Sequence, residues 1–408
     1  SGADLGALRT REMERACDVL GMKMYWHCET PEDTIIDCGF SKSGVETLDR
    51  WGRQRTLTRF VEFVRAERRD ILCPTFLDVP GQHGHHRAMT ELAHEVMEAA
   101  ADPGFPSNLP VWQTKKLYLP AWSGAGQSYD DDEPPPPATI TIDGSGQDPV
   151  TGWSWLRIGQ QSRVFHQTQG MGRWVPAGTS RDWPLHLAKS WVSGPDTDLA
   201  SGLTTTLGDL AALPGANEIA DKLLAAQAGI DTALAAFPDA SGVAAGAVDA
   251  LAAVRTAEEQ CPDEVRDEIL HRLAAKEAQL GHVLRLALGV EARTRTADAC
   301  LTPGQTTGLE LELDAGNADA AKARLDLPPG LTATDDELTA DPDASPSNPY
   351  RSEYDPLLVA SPALALTFQL GTTSVDVRLP FDREPVVLPD CRASVAPEGL
   401  SLIHISEP

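Results

Sequence analysis

The chain has 408 residues, 41% hydrophobic and 23% charged, with 60 acidic against 34 basic side chains and a formal net charge of −26. That length holds two or three domains with real cores, and the composition is that of a globular protein. The acidity argues against nucleic acid and against anionic membranes, both of which call for a positive surface. No apolar run is long enough to span a bilayer.

In chain order, residues 1–193 read as α/β, with strands alternating with helices in a doubly wound, mostly parallel sheet. Leu8 to Leu20 has helical spacing, Met22 to Trp26 reads as a strand, and Thr47 to Arg68 as one long helix carrying Leu57, Phe60, Val61 and Val64. Ile71 to Leu77 is a buried strand, His86 to Ala100 a helix, and Lys115–Leu119 and Ala138–Ile142 are further strands. Asp130–Glu133, leading into Pro134–Pro137, reads as a solvated loop.

From Gly194 to Leu288 the chain is rich in Ala, Leu, Asp and Glu and predicts a helical bundle or spacer, ending in a long amphipathic helix from Val265 to Leu288. From Val290 the period switches to two, as in Leu309, Leu311 and Leu313, and residues 289–400 predict a β-sandwich of the Ig-like kind. Thr334–Glu353 reads as a mobile loop. Ser401–Pro408 matches the translation of a transposase sequencing adapter and is expected to be read-through, which leaves His404 without a function. Seven cysteines, none in Cys-x-x-Cys spacing, predict no cysteine zinc site.

The densest chemistry is His83-Gly84-His85-His86-Arg87-Ala88, three of ten histidines in four residues, at the passage from a strand to a helix. Ligands of open α/β sheets bind there, and imidazole is both the commonest metal ligand and a proton shuttle near neutral pH. His83 and His86 are three apart, so a loop entering a helix can aim both at one point.

Together with its flanks this stretch resembles the PIG-L (LmbE-like) family of zinc-dependent N-deacetylases. Arg9-Thr10-Arg11-Glu12 resembles the family's Arg-x-x-Glu helix. Asp70 to Asp78 resembles the strand and aspartate before the second motif. His83-x-x-His86-Arg87-Ala88 resembles that motif, with His85 where the family has Asp, and His166-Gln167-Thr168-Gln169 resembles the late His-x-Ser/Thr-Gln motif. Nothing matches the family's Ala-His-Pro-Asp-Asp segment, which supplies two zinc ligands and the general base. The chain is therefore expected to be an N-terminally incomplete, inactive piece of such an enzyme, its first strand missing.

The resemblance implies Zn2+ as cofactor and an N-acetylated amino sugar or glycoconjugate as substrate. It makes His86 a zinc ligand, His83 the acid or transition-state support, and His166 a stabiliser of the oxyanion. Asp78, Arg87 and Gln169 fall to substrate binding or to orienting these groups. A non-catalytic carbohydrate-binding or scaffolding protein on the same fold is the alternative. His27, His94, His186, His271 and His282 are expected to be structural or solvated. Trp153, Trp155, Trp174, Trp183 and Trp191 fit either a sugar platform or core packing.

Overall fold

A computed structural model gives a mixed α/β protein with several separate sheets and describes residues 2–30, 33–35, 41–122 and 134–389. Asp130–Glu133, Ser401–Pro408, Cys38 and Cys391 lie outside the described residues. No described helix is long and apolar enough to cross a membrane.

The N-terminal part runs α1 (Gly2–Leu20), β1 (Met24–Tyr25), α2 (Gly44–Trp51), α3 (Arg53–Glu67), β2 (Ile71–Leu72), α4 (Gly84–Ala99), β3 (Lys116–Pro120), β4 (Ile140–Ile142), α5 (Trp155–Val164) and β5 (Trp183–Ser190). The long helix expected from Thr47 to Arg68 is two helices, because Gly52 turns the chain at φ 84°. Ser43 caps the first of them by accepting from the backbone of Glu46. The strand expected to reach Leu77 stops at Leu72, short of Pro74, which has no backbone donor.

The sheet order is β2-β3-β5-β4. Strands β2 and β3 are parallel and joined through α4, which makes a βαβ unit, but β5 runs antiparallel to both β3 and β4. The expected mostly parallel sheet is thus corrected: among the described residues one of its three pairings is parallel. The cause is β5, a strand that begins Trp183-Pro184 and was hidden from pattern reading by its proline. Strand β1 also stands apart and pairs with Glu353–Tyr354 instead of joining this sheet.

One face of the sheet packs Leu72, Leu117 and Leu119 against Phe60 of α3 and against Ala93 and Met97 of α4. On the other face lie Tyr118, Ile140 and Leu185. There Lys116 is 1% exposed, and its ammonium and the Tyr118 hydroxyl each lie 2.5 Å from Asp196, which neutralises a buried charge and ties down the segment after β5.

The chain continues as α6 (Leu207–Leu210), α7 (Ala220–Ala236), α8 (Ala240–Glu259) and α9 (Arg266–Ala287). Gly229 and Gly246 let α7 and α8 approach until backbone meets backbone. Strands β6 (Glu291–Thr296), β7 (Cys300–Leu301), β8 (Thr306–Asp314), β9 (Ala320–Asp326), β10 (Leu331–Ala333), β11 (Glu337–Ala340), β12 (Glu353–Tyr354), β13 (Ala363–Leu370), β14 (Thr373–Leu379) and β15 (Val386–Val387) follow. They form antiparallel sheets β10-β11-β8-β6 and β14-β13-β9 and the parallel pair β15-β7, besides the β1–β12 pair. Strand β11 lies inside the stretch expected to be a mobile loop, and β12 begins at its last residue; Leu338 and Ala340 are buried and give it a reason to order.

The C-terminal strands and α9 reach back to the N-terminal part. Arg272 and Lys115 converge on Asp70 at 2.7 and 3.0 Å, and Arg11 bridges Glu14 and Glu384 at 2.8 Å each.

Helix α4, which carries the histidines, is anchored at its far end by Arg65. That side chain is 2% exposed and donates to the carbonyls of Ala99, Ala100, Asp102 and Leu109. These are the helix's own last acceptors and those of the turn beyond it, which lack intrahelical donors. Arg65→Leu is expected to lower stability by about 3 kcal/mol in urea denaturation, since it removes four charge-assisted hydrogen bonds made by a buried side chain. A loss below about 0.5 kcal/mol, the range of an ordinary surface change, contradicts this role.

Candidate metal centre

The three histidines lie where β2 has ended and α4 begins. His83 is the N-cap of α4, extended at φ −65° and ψ 141°, and His85 and His86 stand in its first turn. Gly84 between them has no room for a side chain: a Cβ there would lie 2.4 Å from Thr47 Oγ1, 2.5 Å from Ser41 Oγ and 2.7 Å from the Ser43 carbonyl. Gly84 N–H donates to the Ser41 carbonyl at 2.8 Å. Helix α2 and the turn before it thus clamp the start of α4. Gly84→Ala is expected to destabilise the fold and to loosen metal binding with it, measured as a drop in thermal midpoint of several degrees. An unchanged midpoint contradicts the clamp.

One ligand nitrogen from each of His83, His85 and His86 can be chosen so that all three lie within 4.8 Å of one another, a group that can hold a metal ion. The His86 ring stacks on Phe76 at 4.0 Å and sits 4.0 Å from the His85 ring. Gln82, 2% exposed, accepts the His83 backbone N–H at 3.1 Å and lies 2.9 Å from His86 Nδ1 through the same Oε1. An amide oxygen only accepts, so Nδ1 carries the proton and Nε2 presents its lone pair. Such outer hydrogen bonds orient a metal-binding imidazole.

Burial pushes His86 down to about 3 and His85 down to about 4, with the neighbouring histidines adding to the effect. His83 is lowered by burial and by Lys42. The rings are neutral at pH 7, the form that binds metal.

The sign of the pH dependence follows. These folded-state values lie below the ordinary 6.5, so as pH falls the unfolded chain takes up protons first. Stability is full above about pH 6.5 and is lost as pH falls toward 4 and 3. Denaturant midpoints measured from pH 7 to 4 are expected to decline, and less steeply in the His85→Gln/His86→Gln double variant. Part of the slope should remain, because burial pushes His27 and His271 down to about 4 as well. Identical slopes in both proteins contradict the assignment.

The other expected site residues have definite places. Asp78 is ion-paired to Arg87 at 2.6 Å, and Arg87 also donates to the Lys42 carbonyl at 2.8 Å, so the two brace the histidine turn. His166 caps the 3-10 turn Gln167–Gln169 and is not a member of the three-histidine group. It lies near Glu12, a buried carboxylate that accepts from Thr168 N at 2.7 Å and Thr168 Oγ1 at 2.8 Å. Burial raises Glu12, but the Thr168 bonds, His166 and Arg9 outweigh it and hold the carboxyl below its usual range. Arg9 also donates to Thr168 Oγ1 at 3.3 Å, so two segments that carried the family resemblance, Arg9–Glu12 and His166–Gln169, meet in space. Gln169 is exposed.

His27 packs between Phe60 and Phe63, His186 bonds the Pro137 carbonyl and His282 the Leu357 carbonyl, all structural positions.

Sequence reading missed three things. His85, set aside as a departure from the family pattern, belongs to the cluster. Gln82 was overlooked, although its place directly before His83 and four residues before His86 was a usable signal. Trp155, Trp174 and Trp183 do come together, but with Trp122 and three arginines, around a cavity of about 600 Å³ that Trp153 and Trp191 do not line. Phe76 lines that cavity and also stacks on His86.

Comparisons with protein-family models, with curated proteins and with solved structures found no match.

Proposed function

We propose that this chain carries the metal-holding half of a zinc-dependent amide hydrolase that removes acetyl groups from N-acetylated amino sugars. The observation that carries the reading is the triple imidazole set at the head of α4, whose ligand atoms lie within 4.8 Å of one another. Three protein ligands with an open position are the pattern of catalytic zinc, and a nitrogen-only set suits zinc over magnesium or calcium. A zinc ion held there would supply a Lewis acid for the amide carbonyl and an acidified water.

The chain's own groups have these parts. His83, His85 and His86 hold the ion, which moves His83 from proton donor to ligand. Gln82 fixes the His86 tautomer, and the Asp78–Arg87 pair braces the turn. By resemblance His166, positioned through Glu12 and Thr168, steadies the developing oxyanion. Among the described residues no carboxylate joins the histidine group, so the base that amide hydrolysis requires lies outside this set. The βαβ unit β2-α4-β3, with its ligand-bearing turn after the first strand, supports a Rossmann-like origin of this part. The antiparallel sheets that follow fit an appended sandwich.

Titration with Zn2+ is expected to give one ion per chain. His85→Ala and His86→Ala should abolish tight binding, and Gln82→Leu should weaken it about 10- to 100-fold. Zinc retained by His86→Ala but lost from variants of other histidines contradicts the site. Acetate release from N-acetylglucosamine conjugates is expected from a protein extended by a segment that supplies a carboxylate base, and not from residues 1–408 alone. If the extended protein holds zinc yet releases no acetate from any N-acetylated sugar, the binding-protein reading replaces this one; the tryptophan-lined cavity is what favours it.

A further inference from the structure

The cavity beside Phe76 has a composition at odds with the rest of the chain. The protein carries 60 acidic and 34 basic residues, yet among the described residues no acidic one lines this cavity, and three arginines do: Arg163, Arg173 and Arg181. None of the three is in an ion pair among the described residues, although many of the chain's other arginines are. Arg181 lies over Trp183, its guanidinium carbon 4.5 Å from the ring centroid, a cation–π contact that holds the group at the cavity wall. Three guanidinium groups without an ion pair among the described residues, on one concave surface of a chain of charge −26, are an anion-binding feature.

The remaining walls say what carries the anion. Trp122, Trp155, Trp174 and Trp183 line the cavity, and Trp174 is 82% exposed, a large apolar surface left in water. Trp122 and Trp183 meet edge to face, 5.3 Å apart at 75°, so these two do not form the parallel slot that clamps a flat base. A pyranose needs only one indole face for its C–H groups, and Gln160, Thr75 and Thr179 supply neutral partners for hydroxyls. The shape is built in: a Cβ on Gly144 would lie 2.0 Å from the Arg181 carbonyl, so only glycine lets that strand end pass beneath Arg181.

We infer that this cavity is a binding site for an acidic saccharide, a sugar ring on the tryptophans with its carboxylate or phosphate against Arg163, Arg173 and Arg181. The site stands on the cavity alone and requires neither the metal nor the hydrolase reading.

The test is calorimetric titration of the whole chain in EDTA, which keeps it separate from the metal site. The probes are a glucuronate-containing disaccharide, N-acetylglucosamine 6-phosphate, neutral chitobiose, inorganic phosphate and AMP. At least one acidic saccharide is expected to bind about tenfold or more tightly than chitobiose, the margin of one charge-assisted hydrogen bond. Which of the two binds better identifies carboxylate or phosphate as the natural group. Arg173→Gln, at an exposed position, and Arg181→Gln, at a half-buried one, should bring that affinity down to the neutral level, and Trp174→Ala should weaken both kinds of sugar and reduce the accompanying indole fluorescence change. Equal affinity for acidic and neutral sugars, no binding of either acidic saccharide at millimolar concentration, tighter binding of phosphate or AMP, or affinities untouched by the arginine variants would each overturn the inference.

Discussion

The close crossing of α2 and α4 is the constraint on which the site depends. Gly84 sits against Ser41, Ser43 and Thr47 at distances no Cβ tolerates, and Gly44 packs tightly on the backbone of Arg87 and Ala88, where a Cβ would lie 3.1–3.2 Å away. Each helix therefore offers a glycine where the other passes. Below the crossing, Leu48, Trp51, Ala88 and Leu92 fill one apolar cluster with α3, while Ala93 and Met97 rest on β3. The first turn of α4 is thus set by packing on several sides. Three imidazoles in one turn are then obliged to share a small volume, with Phe76 closing one side. Holding such rings neutral costs stability in acid and prepares them to bind metal; both follow from the same burial.

The histidine turn was legible in the sequence because its information is local. Residue type, spacing and a strand-to-helix transition are all written within about a dozen positions around His83. Glu12 and Thr168 were legible only as pieces of separate motifs; their hydrogen bonds join residues 156 positions apart, and no periodicity announces such a pair. Sheet direction was misread for a comparable reason. Alternating strands and helices imply parallel neighbours only when each strand joins the next, and β5, with a proline second in its run, inserts between β3 and β4. The helices of residues 207–287 were easier, since their apolar faces repeat at helical spacing and pack on one another.

Charge organises the surface unevenly. Most cations serve as ties: Arg65 closes α4, Arg272 and Lys115 meet at Asp70, and Arg11 and Arg351 link α1 to Glu384 near the end of the described chain. The last link bears on the site at a distance. Helix α1 also carries Glu12, which holds the Thr168 turn beside His166, so the C-terminal strands brace the helix that positions that histidine. Against this background of paired charge, an arginine-lined cavity with no carboxylate among its described lining residues is conspicuous, and Phe76 makes it the immediate neighbour of the histidine turn.

The central claim is that three histidines from one helical turn bind one metal ion together. X-ray absorption spectroscopy of the zinc-loaded protein tests it most directly. The account predicts three imidazole nitrogens at about 2.0 Å, recognised by scattering from their outer ring atoms, with one water oxygen completing the set, and loss of one imidazole contribution in His85→Ala if that variant is loaded at high zinc. A spectrum with one imidazole or none, or one unchanged by removal of His85, would contradict it.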